Sequence, residues 1–67
     1  MMLSEVRAPR RVRLAGLADE VAWLDSLGFL PGFSIMVLTN TRIGVTLRLA
    51  GVTYALGRRT AGAICVE

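Results

Sequence analysis

Apolar and polar positions alternate with period two in five short runs, and one intervening stretch follows the helical period instead. Arg11-Val12-Arg13-Leu14 reads as a half-buried strand ended by Gly16. Leu17, Val21, Leu24 and Leu27 then recur at spacings of four, three and three, one face of a helix. Asp19 and Glu20 near its start complement the positive helix N-terminus, and Trp23, beside the stripe, is expected to plug the core, with a partly exposed anchor as the alternative. Phe33 to Leu38 resumes the period of two. Ile43, Val45, Leu47 and Leu49 alternate with Arg42, Gly44, Thr46 and Arg48, and Val52, Tyr54 and Leu56 alternate with Thr53, Ala55 and Gly57. A two-residue loop at Ala50-Gly51 pairs Leu49 with Val52, Leu47 with Tyr54 and Val45 with Leu56, so loop length and hydrophobic phase agree. The preceding hairpin needs a bulge near Leu38 to Arg42 if Phe33, Ile35, Val37 and Ile43 all face the core; Met36 and Leu38 then face outward. After Arg58-Arg59, Thr60 is placed to cap a short turn through Ala63, and Ile64 and Val66 form a last strand. The first six residues are expected to be loosely held.

The stretch Leu27-Gly28-Phe29-Leu30-Pro31-Gly32 explains how helix passes into strand. Gly28 suits the left-handed helix stop, after which Phe29 can pack back on Leu24. Pro31 holds Leu30 extended, and Pro31-Gly32 fill the centre of a type II turn. A phosphate-cradling loop would run from strand to glycines to helix; here the order is reversed.

With 67 residues the chain makes one domain, residues 1 to 67. Five strands and one helix predict a mainly β fold, a small antiparallel barrel in which closure removes the exposed edges. A domain this small needs a dense apolar core, which the 54% hydrophobic content supplies. The longest uncharged run, Ser26 to Thr41, is broken by Gly28, Pro31 and Gly32 and falls short of the ~20 residues of a membrane helix. Glu5, Arg7, Arg10, Arg11 and Arg13 occupy the place of a signal-peptide apolar region.

The residues traced so far resemble the FeoA domain family. Leu27-Gly28-Phe29-Leu30-Pro31-Gly32 is similar to its LGF-x-PG signature, with Leu24, Leu27, Gly28, Phe29, Pro31 and Gly32 as the structural positions. The similarity continues through the Phe33 to Leu38 strand, Leu49-Ala50-Gly51, Tyr54-Ala55-Leu56, the paired arginines, Ala61, and Ile64-Cys65-Val66-Glu67. It implies an SH3-like β-barrel and a bacterial cytoplasmic accessory protein of Feo ferrous iron uptake. Such a protein would act on the membrane transporter FeoB and lie at the inner membrane only through that partner. It also implies a family-level association with transition metal ions. Similar domains end the iron-dependent repressors, behind a DNA-binding part that this chain lacks. Two family features differ. Val21-Ala22-Trp23-Leu24-Asp25 lacks a basic pair, and Thr39-Asn40-Thr41-Arg42 lacks a proline, glycine and aspartate loop.

The side chains themselves offer little chemistry. All eight basic residues are arginine, histidine is absent, and Cys65 is the only cysteine. No nucleophile has a base beside it, so no catalytic residue is expected. Carboxylates at Glu5, Asp19, Glu20, Asp25 and Glu67 are too scattered to suggest a metal site, so no cofactor is expected beyond weak or indirect ferrous iron association. Cys65 reads as a half-buried small apolar residue. The net charge of +3 admits RNA as a partner, but Trp23, Phe29, Phe33 and Tyr54 are the only aromatics and most are assigned to the core, which argues against nucleic acid. Partner contact is expected at Met36, Leu38, Arg42, Arg58 and Arg59, on FeoB or on a second copy of the chain.

Overall fold

A computed structural model describes residues 1–67. Five strands form one antiparallel sheet: β1 (Arg10–Leu17), β2 (Ser34–Asn40), β3 (Gly44–Leu49), β4 (Val52–Gly57) and β5 (Ile64–Val66), in the order β4-β3-β2-β1-β5. Short 3-10 segments at Leu3–Glu5 and Asp19–Leu27 and a single-turn helix α1 (Arg58–Ala61) complete the chain. The mainly β, antiparallel architecture predicted from the period-two runs is present. The two end strands, β4 and β5, do not pair, so closure does not remove the edges as expected.

The β3–β4 hairpin has the predicted register, Leu49 opposite Val52, Leu47 opposite Tyr54 and Val45 opposite Leu56. Ala50 and Gly51 both hold positive φ, 51° and 81°, the type I′ geometry whose twist suits a two-residue hairpin. Gly44 opposes Gly57 so closely that a Cβ on Gly44 would lie inside the Leu56 carbonyl oxygen. The predicted bulge between β2 and β3 falls between Val37 and Thr39. It turns Ile43 to solvent, 88% exposed, and Phe33 is also largely exposed at 43%. Neither is the core residue expected: Ile43 belongs to the connection Thr41–Ile43, which closes on itself through Thr41 N–H to Gly44 O at 2.9 Å, and Phe33 lies in the turn ahead of β2, where its N–H donates to Leu30 O.

The helical stretch is 3-10, kinked at Val21, and starts without a side-chain cap because Ala18 precedes it. With three residues per turn, Val21, Leu24 and Leu27 form one straight row. Val21 and Leu24 are buried, while Leu27, at the end of the row, is 47% exposed. Trp23 projects outward at 58% exposure and plugs nothing. Gly28 ends the segment at φ 100° and Phe29 N–H donates back to Leu24 O. Gly32 at φ 91° and the Phe33 N–H to Leu30 O bond complete the predicted turn.

All sixteen buried residues are apolar, with Phe29 the largest fully buried side chain, set edge-to-face against Tyr54 at 5.1 Å. Leu3 and Val6 belong to this core, so the N-terminal residues are anchored rather than loose. Thr60 lies inside α1, whose N-cap is Gly57, so the expected threonine cap is absent. β1 continues past Gly16 to Leu17 through a register shift opposite β5. No helix is long and apolar enough to cross a membrane.

Candidate interaction surface

Side chains opposite one another in adjacent strands share a face. Registers across four strands therefore line up Arg11, Met36, Arg48 and Thr53 in one outward row. Arg13 opposes Ser34 in the next row, and Arg11 donates to Ser34 Oγ at 3.3 Å. Met36 is half-buried between two exposed arginines on the neighbouring strands, whose backbones run about 5 Å to either side. Leu38 is also half-buried, at the bulge. The outward placement expected of Met36 is present, with arginines on both sides. Arg11 and Arg48 carry this surface, and register alone reveals them; in the sequence they are two arginines 37 positions apart.

Arg58 stands elsewhere. Its guanidinium donates to Asn40 Oδ1, to Thr41 O at 2.8 Å and to Ser4 O at 2.8 Å. Asn40 in turn donates to Ser4 O and Val6 O at 3.0 and 2.7 Å. These bonds tie α1, the end of β2 and the N-terminal turn together. Arg58 is thus a structural clamp with its donors committed to neutral acceptors. Arg42 and Arg59 are exposed. Asn40, the hub of this network, carried no signal in the alternation pattern.

A hollow of about 390 Å³ opens on the outward side of β3 and β4, lined by Thr39, Thr46, Gly44 and Ala55 and overhung by Ile43. A smaller one of about 280 Å³ lies at Arg11, Arg13, Ser34 and Glu67. No three carboxylate or thiol side chains converge anywhere in the fold. Cys65 is half-buried and free, paired in register with Gly16 and bridged by Met2. The donor set does not fit a resident metal ion.

The FeoA domain model matches residues 1–67. The chain belongs to the FeoA domain family. The fold agrees throughout its length with solved structures. An iron uptake regulatory protein, FeoA, is 28% identical, with the match covering all of this chain and 93% of that one at a TM-score of 0.87. FeoA from Chlorobium tepidum is 26% identical over all of this chain and 69% of that one, TM-score 0.84. FeoA from Stenotrophomonas maltophilia, a prokaryotic SH3 domain solved with zinc, is 20% identical and shares the fold over 89% of its length, TM-score 0.87. A search of curated proteins found no match. The family expected from LGF-x-PG and the residues after it is therefore the right one, and Leu24, Gly28, Phe29, Pro31 and Gly32 sit in the helix stop and turn that the signature describes.

Proposed function

We propose that this FeoA-family protein is a non-enzymatic accessory of ferrous iron uptake that works by docking. Its partner is the cytoplasmic part of the transporter FeoB, whose conformation or nucleotide cycle it modulates. Iron is the cargo of the system and not a resident group of this chain. The observation that supports the docking reading most is the row Arg11–Met36–Arg48, a polarizable apolar side chain between two planar cations on a rigid sheet. Methionine adapts its shape to a partner, and arginine is enriched in interfaces for its forked donors. A core with no buried polar side chain leaves no interior site to compete with that surface.

Pull-down from membranes tests the reading. Wild-type protein should recover the transporter, and Met36→Asp and Arg48→Glu should each lose most of that recovery while remaining folded. Full recovery with both variants would remove the outer row as the docking surface. Arg58→Glu is unsuited to this purpose because it breaks the clamp.

A further inference from the structure

The two ends of the sheet are finished differently. At β5, Val66 N–H donates to Met1 O at 2.8 Å and the Met1 amino group donates back to Val66 O at 3.1 Å, while Met2 bridges Cys65. That edge is covered. At β4, the two-residue loop makes Leu49–Val52, Leu47–Tyr54 and Val45–Leu56 the pairs that exchange hydrogen bonds. The N–H and C=O groups of Thr53 and Ala55 therefore point away from β3. None of the backbone bonds outside the ladders uses them. The strand Val-Thr-Tyr-Ala-Leu-Gly has no charge and no proline, the usual devices that close an edge against pairing.

We propose that β4 accepts an extended, acidic segment of a partner protein as a sixth strand, read through an acidic and an apolar residue two positions apart. The inference rests on the docking reading above and identifies the chemistry of the docked segment. Main-chain bonds to Thr53 and Ala55 supply affinity, and the side chains opposite these two residues supply selectivity. Both of those side chains fall on the outward face. The one opposite Ala55 lies over the 390 Å³ hollow under Ile43, whose 88% exposure then has a use. The one opposite Thr53 extends the row that contains Arg48, about 10 Å away across two strand spacings, a gap that an arginine and a glutamate bridge together. Charge selects the sign of the partner. From Gly28 to Val66 the chain carries Arg42, Arg48, Arg58 and Arg59 and no carboxylate; its five acidic residues all lie in the first 27 positions and at Glu67.

The test is a titration of the full-length, isotope-labelled protein with the acetylated peptide Thr-Glu-Val-Leu-Val-Glu-Thr, followed by amide spectra and hydrogen exchange. The amides of Thr53 and Ala55 should shift and gain protection, together with Ile43, and a lysine-for-glutamate peptide should not bind. Ala55→Pro removes an outward N–H without touching the β3 ladder and should weaken binding about tenfold. Arg48→Glu, on an exposed side chain that leaves the backbone intact, should weaken it as much. Unchanged Thr53 and Ala55 amides at millimolar peptide, or equal binding of the lysine peptide, overturn the proposal. A doubled mass in light scattering without peptide, reversed by Ala55→Pro, would assign the edge to a second copy and overturn it too. The two readings fail separately. Recovery of the transporter by wild type and by Ala55→Pro alike would sink the β4 edge and keep docking. Peptide binding without any recovery of the transporter would sink docking and keep the edge.

Discussion

The β5 end and the β4 end of this sheet face the same physical problem, a row of backbone groups with no neighbour, and meet it in opposite ways. β5 is three residues long, and its free side is covered by Met1 and Met2, held there by the burial of Leu3 and Val6. β4 is six residues long, uncharged, and uncovered. The single-turn helix α1 follows it directly, and Arg58 turns back to clamp the N-terminal turn rather than shield the strand. The contrast shows where rigidity and availability are separated in a small domain. The N-terminus, the clamp and β5 form one fastened side, and the hairpin β3–β4 presents its outer strand to a partner.

Four substitutions sharpen that contrast. Leu3→Ala should loosen the covered edge most. It removes a fully buried leucine from the segment over β5, and a loss of about 3 kcal/mol in urea unfolding is expected. A loss below 1 kcal/mol would mean that the N-terminal cover is not anchored by this side chain. Gly44→Ala drives a methyl group into the Leu56 carbonyl and should cost about 2 kcal/mol while disturbing the Val45 and Leu56 amides. Arg58→Met strips hydrogen bonds from Ser4 O, Thr41 O and Asn40 Oδ1. It should cost about 1 kcal/mol, since these acceptors lie near enough to solvent to be partly repaired by water. Thermal melts as stable as wild type would show that the clamp is ornamental. Ala50→Gly works in the other direction. It relieves an alanine held at φ 51° and should raise stability by roughly 1 kcal/mol. A lower melting temperature would contradict the type I′ turn.

The open edge supplies the smallest effect and the clearest spectroscopic contrast. Ala55→Lys adds an exposed charge to β4 and should change stability by no more than about 0.5 kcal/mol. In the wild type, the Val66 amide should exchange slowly because Met1 O accepts from it, whereas Thr53 and Ala55 should exchange almost as fast as a loop. Protection of Thr53 and Ala55 in the isolated protein would place a cover on β4.

Much of this architecture was legible along the chain because its signals are local. The period of two in Val45, Leu47 and Leu49, read with a two-residue loop, is enough to set the β3–β4 register. Gly28 and the Pro31-Gly32 pair mark a helix stop and a turn through conformations that glycine and proline favour by themselves. The family signature lies in these same residues, so fold and membership were readable together. The misplacements at Phe33, Ile43, Trp23 and Leu27 all concern large apolar side chains. Phe33, Ile43 and Leu27 lie at the ends of otherwise correct periodic runs, where the pattern continues but the core does not, and Trp23 lies beside such a run, off its buried row. The looseness expected of the first six residues failed for a related reason: Leu3 and Val6 are buried by contacts with the far end of the chain, which local patterning does not contain.

By itself, the order of residues determined the strands, the turn chemistry and the hairpin register, because each depends on neighbours within a few positions. Only the tertiary structure decided that Arg11, Met36 and Arg48 stand in one row, that Arg58 is a clamp, and that one edge of the sheet is sheathed while the other is bare. Those outcomes depend on pairing between segments up to 65 positions apart, as between Met1 and Val66. Long-range pairing is selected by the burial of the whole apolar core at once, a collective condition that no short stretch expresses.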